Sequence, residues 1–225
     1  MKNIVITGAS KGIGFATALE FNRQGHKVLA LARNLELLED LKERSEGNVI
    51  IKQHDLTQAV DTLYISKELG EVDVVIHNAG YLVNKPFPEI SREELLRTYE
   101  VNVFAPFQLT QQLLPLLSKE AHIIMISSIG GVTGSQKFPG LTAYSSSKAA
   151  QGSLAEILQA EDAETDLTFN TLALGAVQTE MLEAAFPSYK ALVSPQNMAQ
   201  YIVNFALTAP QVIRGKTISV SRTNP

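Results

Sequence analysis

The apolar positions of this chain gather into short runs spaced by longer segments of mixed character. NIVITG (3–8), KVLALAR (27–33), NVIIKQ (48–53), VDVVIHN (72–78), HIIMISS (122–128), LTFNTLALG (167–175) and KTISVS (216–221) are rich in Val and Ile, and several are apolar at consecutive positions. A strand that is apolar on both faces needs cover on both faces, as in parallel sheets. Segments 13–24, 34–45, 58–69, 91–117, 144–161 and 195–208 read as helices, with Asn34, Ser91 and Ser194 as N-caps and Pro195 at a first helical position. Strand–helix alternation predicts an α/β fold: a doubly wound, seven-stranded parallel sheet with helices on both faces and right-handed crossovers. No linker, repeat or low-complexity segment interrupts it, so residues 1–225 read as a single domain.

Composition narrows the function classes. Hydrophobic residues are 45% and charged residues 19% of the chain, with a formal net charge of −4. There is no basic tract for nucleic acid and no polybasic membrane patch. The absence of cysteine excludes disulfides, thiolate metal sites and cysteine nucleophiles. His26, His54, His77 and His122 lack ligand-like spacing, so no metal is expected. No apolar run approaches the roughly 18 residues of a membrane helix. The start MKNIVITGAS runs from an apolar strand into a glycine turn rather than forming a signal peptide. The expected location is cytoplasmic.

After the first run comes TGASKGIG, with Gly8, Gly12 and Gly14. A glycine-rich turn from strand into helix lets backbone N–H groups approach a pyrophosphate at the positive end of the helix. The fold class then sharpens to a single-domain Rossmann fold. Folds of this kind that prefer NAD end the second strand with Asp or Glu, which bonds the ribose 2′-hydroxyl. Here Ala32 stands in that place, Arg33 follows, and Lys11 lies in the turn. Two cations and no acid suit a 2′-phosphate, which favours NADP(H) over NAD(H). The alternative is that Arg33 only begins a solvated helix.

YSSSK (144–148) sets Tyr144 four residues before Lys148, a spacing that places both on one helix face. Tyr81 and Lys85 share the spacing, but Pro86 and Pro88 argue against a helix there. A cation beside a tyrosine favours the phenolate, lowering a pKa that is otherwise about 10. The motifs TGASKGIG, HNAG (77–80), VNVFAPF (101–107), MISSIGG (125–131) and YSSSK follow in this order. Together they resemble the short-chain dehydrogenase/reductase family, classical type, over essentially the whole chain.

The resemblance implies a cofactor half at about 1–120 and a catalytic and substrate half at about 121–225. It implies Tyr144 as catalytic acid/base, Lys148 as its partner and holder of the nicotinamide ribose, Ser128 as the substrate-oxygen hydrogen bonder, and Asn102 as the residue that keeps a water in the proton relay. The implied cofactor-binding residues are Gly8, Ser10, Lys11, Gly12, Ile13 and Gly14 at the turn, Arg33, Asp55 and Leu56 toward the adenosine end, Asn78, Ala79 and Gly80 by its ribose, Tyr144 and Lys148, and Val177 and Thr179 at the carboxamide. It further implies a homodimer or homotetramer in which helices 91–117 and 144–161 pair. The tail SRTNP lacks the family's glycine-rich ending, which bears on the second interface of a tetramer.

Several residues depart from the family pattern. SQK (135–137) lengthens the interval from Ser128 to Tyr144, which leaves Ser127 or Ser128 to face the substrate. His77 replaces the first asparagine of N-N-A-G, and Leu174-Gly175 replaces Pro-Gly. The segment 55–73 is short, so its helix is expected to be trimmed. The segment after Thr179 is also short, and Met181, Leu182, Ala185 and Phe186 form an apolar face either over the nicotinamide or against the domain. The expected activity is NADP(H)-dependent interconversion of a small-molecule carbonyl and an alcohol. The alternative is a cofactor-binding regulator or scaffold without turnover.

Overall fold

The computed structural model describes residues 1–222, so the end of the SRTNP tail lies outside the described residues. Strands β1 (Asn3–Thr7), β2 (Lys27–Ala32), β3 (Val49–Gln53), β4 (Val72–His77), β5 (Leu117–Ser128), β6 (Thr168–Leu174) and β7 (Thr217–Val220) form one sheet in the order β3-β2-β1-β4-β5-β6-β7. All neighbouring pairs are parallel. The helices are α1 (Gly12–Arg23), α2 (Leu35–Glu43), α3 (Thr62–Leu69), α4 (Arg92–Tyr99), α5 (Ala105–Leu113), α6 (Thr142–Glu161), α7 (Glu180–Ala185) and α8 (Pro195–Thr208).

The two-residue period of the strands divides the core. Ile4, Ile6, Val28, Ala30, Val74, Ile76 and Ile124 pack with Phe21 of α1, Leu38 and Leu41 of α2, and Ile202 and Val203 of α8. Their alternates Val5, Leu29, Leu31, Val75, Ile123 and Met125 pack with Ile65 of α3, Leu109 and Leu113 of α5, and Ala155 of α6. This is why the runs are apolar at consecutive positions. The strand order reverses between β1 and β4, and the crossovers there leave in opposite directions. A crevice opens at the carboxyl ends of such a pair. Among the described residues no helix is long and apolar enough to cross a membrane.

The caps follow the sequence reading. Asn34 accepts from Leu37 N, Ser91 forms a capping box with Glu94, and Ser194 accepts from Asn197 N ahead of Pro195. The predicted helix over 91–117 is instead divided. A π-turn at Glu100–Phe104 separates α4 from α5, and a 3₁₀ turn at Leu114–Leu116 ends the segment. Pro106 has no N–H to give Asn102 and crowds its carbonyl, so the ladder slips and Ala105 N–H reaches Glu100 O. The helix expected over 58–69 begins only at Thr62, capped by Asp61. No helix forms around Tyr81 and Lys85, and Lys85 pairs with Glu94.

Two histidines tie helices to the sheet. His77 Nε2 lies 2.9 Å from Thr110 Oγ1 of α5. His122 Nδ1 lies 3.0 Å from Ala206 O of α8, and its Nε2 faces Asn170 Nδ2 of β6. Burial pushes His77 down to about 3 and His122 down to about 4. Both values lie below that of an unfolded histidine, so the unfolded chain takes up protons first. Their stabilising contribution is complete above pH ~6.5 and is lost as pH falls toward the folded values. Between pH 7 and pH 5 the expected loss is about 2 kcal/mol per histidine. Urea unfolding of His77→Asn, which keeps a polar group but does not titrate, is expected to show a smaller loss over that range than the wild type. An equal loss contradicts this account of His77.

Candidate active site

A cleft of about 1470 Å³ runs along the carboxyl ends of the strands. Its wall is Gly8 and Ser10–Ile13 after β1, Ala32–Asn34 at the end of β2, His54–Thr57 after β3, Asn78–Leu82 after β4, Ile126–Ile129 at the end of β5 and Leu174–Val177 at the end of β6. That volume exceeds the usual few hundred to 1,000 Å³ of a single small-ligand pocket. All the predicted site residues line this cleft except Gly14 and Asn102, which sit behind it.

The turn after β1 is held by close backbone packing. Gly8 and Gly12 have φ of +66° and +59°. A Cβ on Gly8 would meet Ala79 Cα at 2.7 Å, and one on Gly14 would meet Gly8 O at 2.4 Å and Asn78 Nδ2 at 2.3 Å. Asn78 Nδ2 donates to Thr7 O and Gly8 O, while Thr7 Oγ1 accepts from Asn78 N and Ala79 N. Helix α1 starts without a side-chain cap and without an acid in its first turn, whereas α2, α3, α4 and α8 each have a capping side chain. Its orphan N–H groups therefore remain for an anion in the cleft.

At the β2 end, Arg33 and Lys11 are exposed and line the cleft, with no acid at Ala32. Asp55 is engaged locally. Its Oδ1 accepts from Thr57 N and Thr57 Oγ1, both at 3.0 Å. Those bonds, aided by the Arg33 charge, hold its carboxyl below the usual range. Leu56 beside it packs on the core. Val177 bridges to Val193, and Thr179 caps α7 by accepting from Leu182 N. Met181, Leu182 and Phe186 face the cleft, while Ala185 offers its carbonyl to Asn84 Nδ2 at 2.7 Å. These residues fit a dinucleotide lying along the turn.

At the other end, α6 sets Tyr144 one turn before Lys148, with Nζ 5.7 Å from the phenol ring centroid. Ser127 and Ser128 divide as strand neighbours must. Ser127 Oγ donates to Lys148 O at 2.7 Å, whereas Ser128 hydrogen-bonds the Tyr144 hydroxyl. The added SQK residues do not shift this register. They fold back: Ser135 Oγ donates to Val132 O, and Lys137 Nζ donates to Gly130 O and Val132 O. Lys148 is buried, and its Nζ donates to Ile126 O at 2.8 Å and Gln151 Oε1 at 2.9 Å. Asn102 is held at the π-turn, with Nδ2 donating to Tyr81 O and Ser147 Oγ and Oδ1 accepting from Tyr81 N. Arg97 lies 5.1 Å over the Tyr81 ring.

The electrostatics differ from the sequence expectation in one respect. Burial pushes the Tyr144 phenol up to about 12, opposed only by the Ser128 hydrogen bond. Burial likewise brings Lys148 down to about 7. A lysine that is itself so desolvated does not hold the phenol below 10 in this arrangement. Thr7, Gly131 and Gln151 were missed by the sequence reading. Gly131 admits α6 so closely that a Cβ there would lie 2.6 Å from Ala149 N. The glycine pair Gly130-Gly131 was a visible signal. Thr7 and Gln151 had none, because their partners are distant in the chain or belong to another motif.

The two serines make a direct test. Ser127→Ala removes the donor to a buried carbonyl and is expected to cost about 1–3 kcal/mol of stability, leaving the Tyr144 titration in place. Ser128→Ala is expected to raise the Tyr144 pKa further, read by phenolate absorbance. A Tyr144 shift in Ser127→Ala and none in Ser128→Ala reverses the assignment.

Comparison with known proteins agrees with this fold. The family model for short chain dehydrogenase matches residues 2–190. An uncharacterized oxidoreductase of Listeria innocua is 30% identical over 243 residues, covering 99% of this chain and 96% of its own. One of Staphylococcus aureus is 31% identical over 228 residues, covering 97% and 96%. A short chain dehydrogenase structure from Salmonella enterica serovar Typhi superposes with a TM-score of 0.87 at 29% identity, covering 97% of this chain and 95% of that one. A Brucella melitensis structure described as a short-chain dehydrogenase/reductase, glucose/ribitol dehydrogenase, shares the fold with a TM-score of 0.89 at 24% identity, covering 98% and 95%. With one parallel seven-stranded sheet, a cleft at its switch point and a family match over most of its length, this chain belongs to the short-chain dehydrogenase/reductase family.

Proposed function

We propose that this oxidoreductase uses NADP(H) to interconvert a ketone or aldehyde and the corresponding alcohol. The observation that carries the reading is a single cleft joining the uncapped N-terminus of α1 to Ser128, Tyr144 and Lys148. The glycine turn with Ser10 and Ile13 would hold the pyrophosphate, Arg33 and Lys11 the 2′-phosphate, Asp55 and Leu56 the adenine, and Asn78–Gly80 the adenosine ribose. Val177 and Thr179 would hold the carboxamide. A nicotinamide held by these residues would supply the hydride for reduction or accept it for oxidation. Ser128 Oγ hydrogen-bonds the substrate oxygen and keeps it against Tyr144. Tyr144 Oη gives its proton to that oxygen during reduction and takes it back during oxidation. Lys148 in its ammonium form stabilises the phenolate so produced. Asn102 braces the Tyr81 loop and the relay beside Lys148.

The Leu182, Phe186, Phe138 and Leu96 side chains that line the cleft suit an apolar small-molecule carbonyl. We also infer a homo-oligomer. Phe104, Phe107 and Leu114 are exposed along one side of the 100–116 segment, and Ile157 is exposed on α6.

NADPH oxidation against a panel of aldehydes, ketones and diketones tests the chemistry. Tyr144→Phe is expected to lower the rate by roughly 10²–10⁴-fold, and activity that survives the substitution contradicts the assignment. Arg33→Ala tests the cofactor choice. It is expected to weaken NADPH by about tenfold or more and NADH little, whereas equal effects contradict the 2′-phosphate reading.

A further inference from the structure

Lys148 Nζ has two fixed acceptors, Ile126 O of β5 and Gln151 Oε1 one turn further along α6. Gln151 is fully buried, and among the described residues its Nε2 has no hydrogen-bond partner. A lysine ammonium only donates, so the amide atom facing it must be the oxygen. The glutamine is therefore oriented by Lys148 at the cost of an unpaired buried N–H. Packing does not account for such a residue, since an apolar side chain of similar volume would leave no donor unsatisfied. We propose that Gln151 is a positioning residue for Lys148: its carbonyl anchors the ammonium, favours the charged form, and leaves one N–H of the three free for the cleft.

The geometry supports this independently of titration. An ammonium in an apolar interior needs acceptors, and the Ile126 carbonyl alone supplies one. Tyr144 is the titratable group that faces Lys148 from its own helix. Around Nζ, β5 presents Ile126, Ser127 and Ser128, and β6 and residues 129–131 carry no titratable side chain. The π-turn carries Glu100, and α4 carries Arg92, Glu93, Glu94, Arg97 and Tyr99. None of them forms an ion pair with Lys148 among the described residues. No carboxylate competes with Gln151 for the ammonium.

The proposal rests on Lys148 as the ammonium of the proton-transfer pair, but its deciding test, the Lys148 titration, needs neither cofactor nor turnover. Protein labelled with ¹³C at lysine Cε is titrated by NMR, with Lys148→Met to identify the signal among the 12 lysines. The wild-type Lys148 is expected to titrate at about 7. Gln151→Leu is expected to lower that midpoint by roughly one unit, and Gln151→Glu, which keeps an acceptor, to hold it at or above the wild-type value. If Gln151→Leu does not fold, Gln151→Met serves in its place. Correspondingly, the alkaline limb of NADPH oxidation moves to lower pH in the leucine variant. An unchanged Lys148 midpoint in a folded apolar variant overturns the proposal. A shifted midpoint in a protein that reduces nothing leaves the proposal standing and removes the function assigned above.

Discussion

The contact on which this structure depends is the approach of two backbones at the top of the sheet. The turn after β1 lies against the residues after β4 so closely that Gly8 has no room for a Cβ beside Ala79, and Gly14 has none between Gly8 O and the Asn78 side chain. Thr7 and Asn78 fasten the approach from both sides through four hydrogen bonds. Because β1 and β4 flank the point where the strand order reverses, this seam lies at the crevice where such sheets bind ligands. Rigid packing at the seam fixes where α1 begins, and thereby where its unpaired N–H groups point.

The end of the cleft at Tyr144 and Lys148 is organised by the opposite constraint, in which polar groups are buried and must find partners. Lys148 reaches inward to a strand carbonyl and a glutamine, and Ser127 reaches across to the carbonyl of the same lysine. The Asn102 side chain bonds to the Tyr81 loop and Ser147. Gly131 brings α6 against β5 so that these bonds are short. Tyr144 and Ser128 are left as the pair facing the cleft. The same burial shifts the Tyr144 and Lys148 pKa values toward the neutral forms. The acceptors around Lys148 are what its buried ammonium requires.

Much of this was legible in the sequence, for reasons that can be named. Strand faces follow a period of two, so consecutive apolar positions in VLALA and IIMI announced a sheet covered on both sides. Caps at Asn34, Ser91 and Ser194 are local chemistry and were read locally. The π-turn at Glu100–Phe104 was not read, although Pro106 marks it, because helical spacing continues on both sides. The choice between Ser127 and Ser128 needed the position of Lys148 O, a backbone atom with no sequence signature. Gln151 reads as one polar residue on a helix until Lys148 is seen to turn toward it. The inserted SQK residues looked able to disturb the serine register, but they satisfy the carbonyls of their own turn.

If the seam between the two backbones builds the nucleotide site, a single methyl placed in it should remove binding before it removes the fold. The direct measurement is NADPH fluorescence titration of Gly14→Ala, with near-UV circular dichroism as the check on packing. The Cβ would lie 2.4 Å from Gly8 O, a backbone atom that cannot rotate away. The account predicts an affinity at least about tenfold weaker in a protein that retains its near-UV spectrum. Unchanged NADPH affinity in that variant would contradict it.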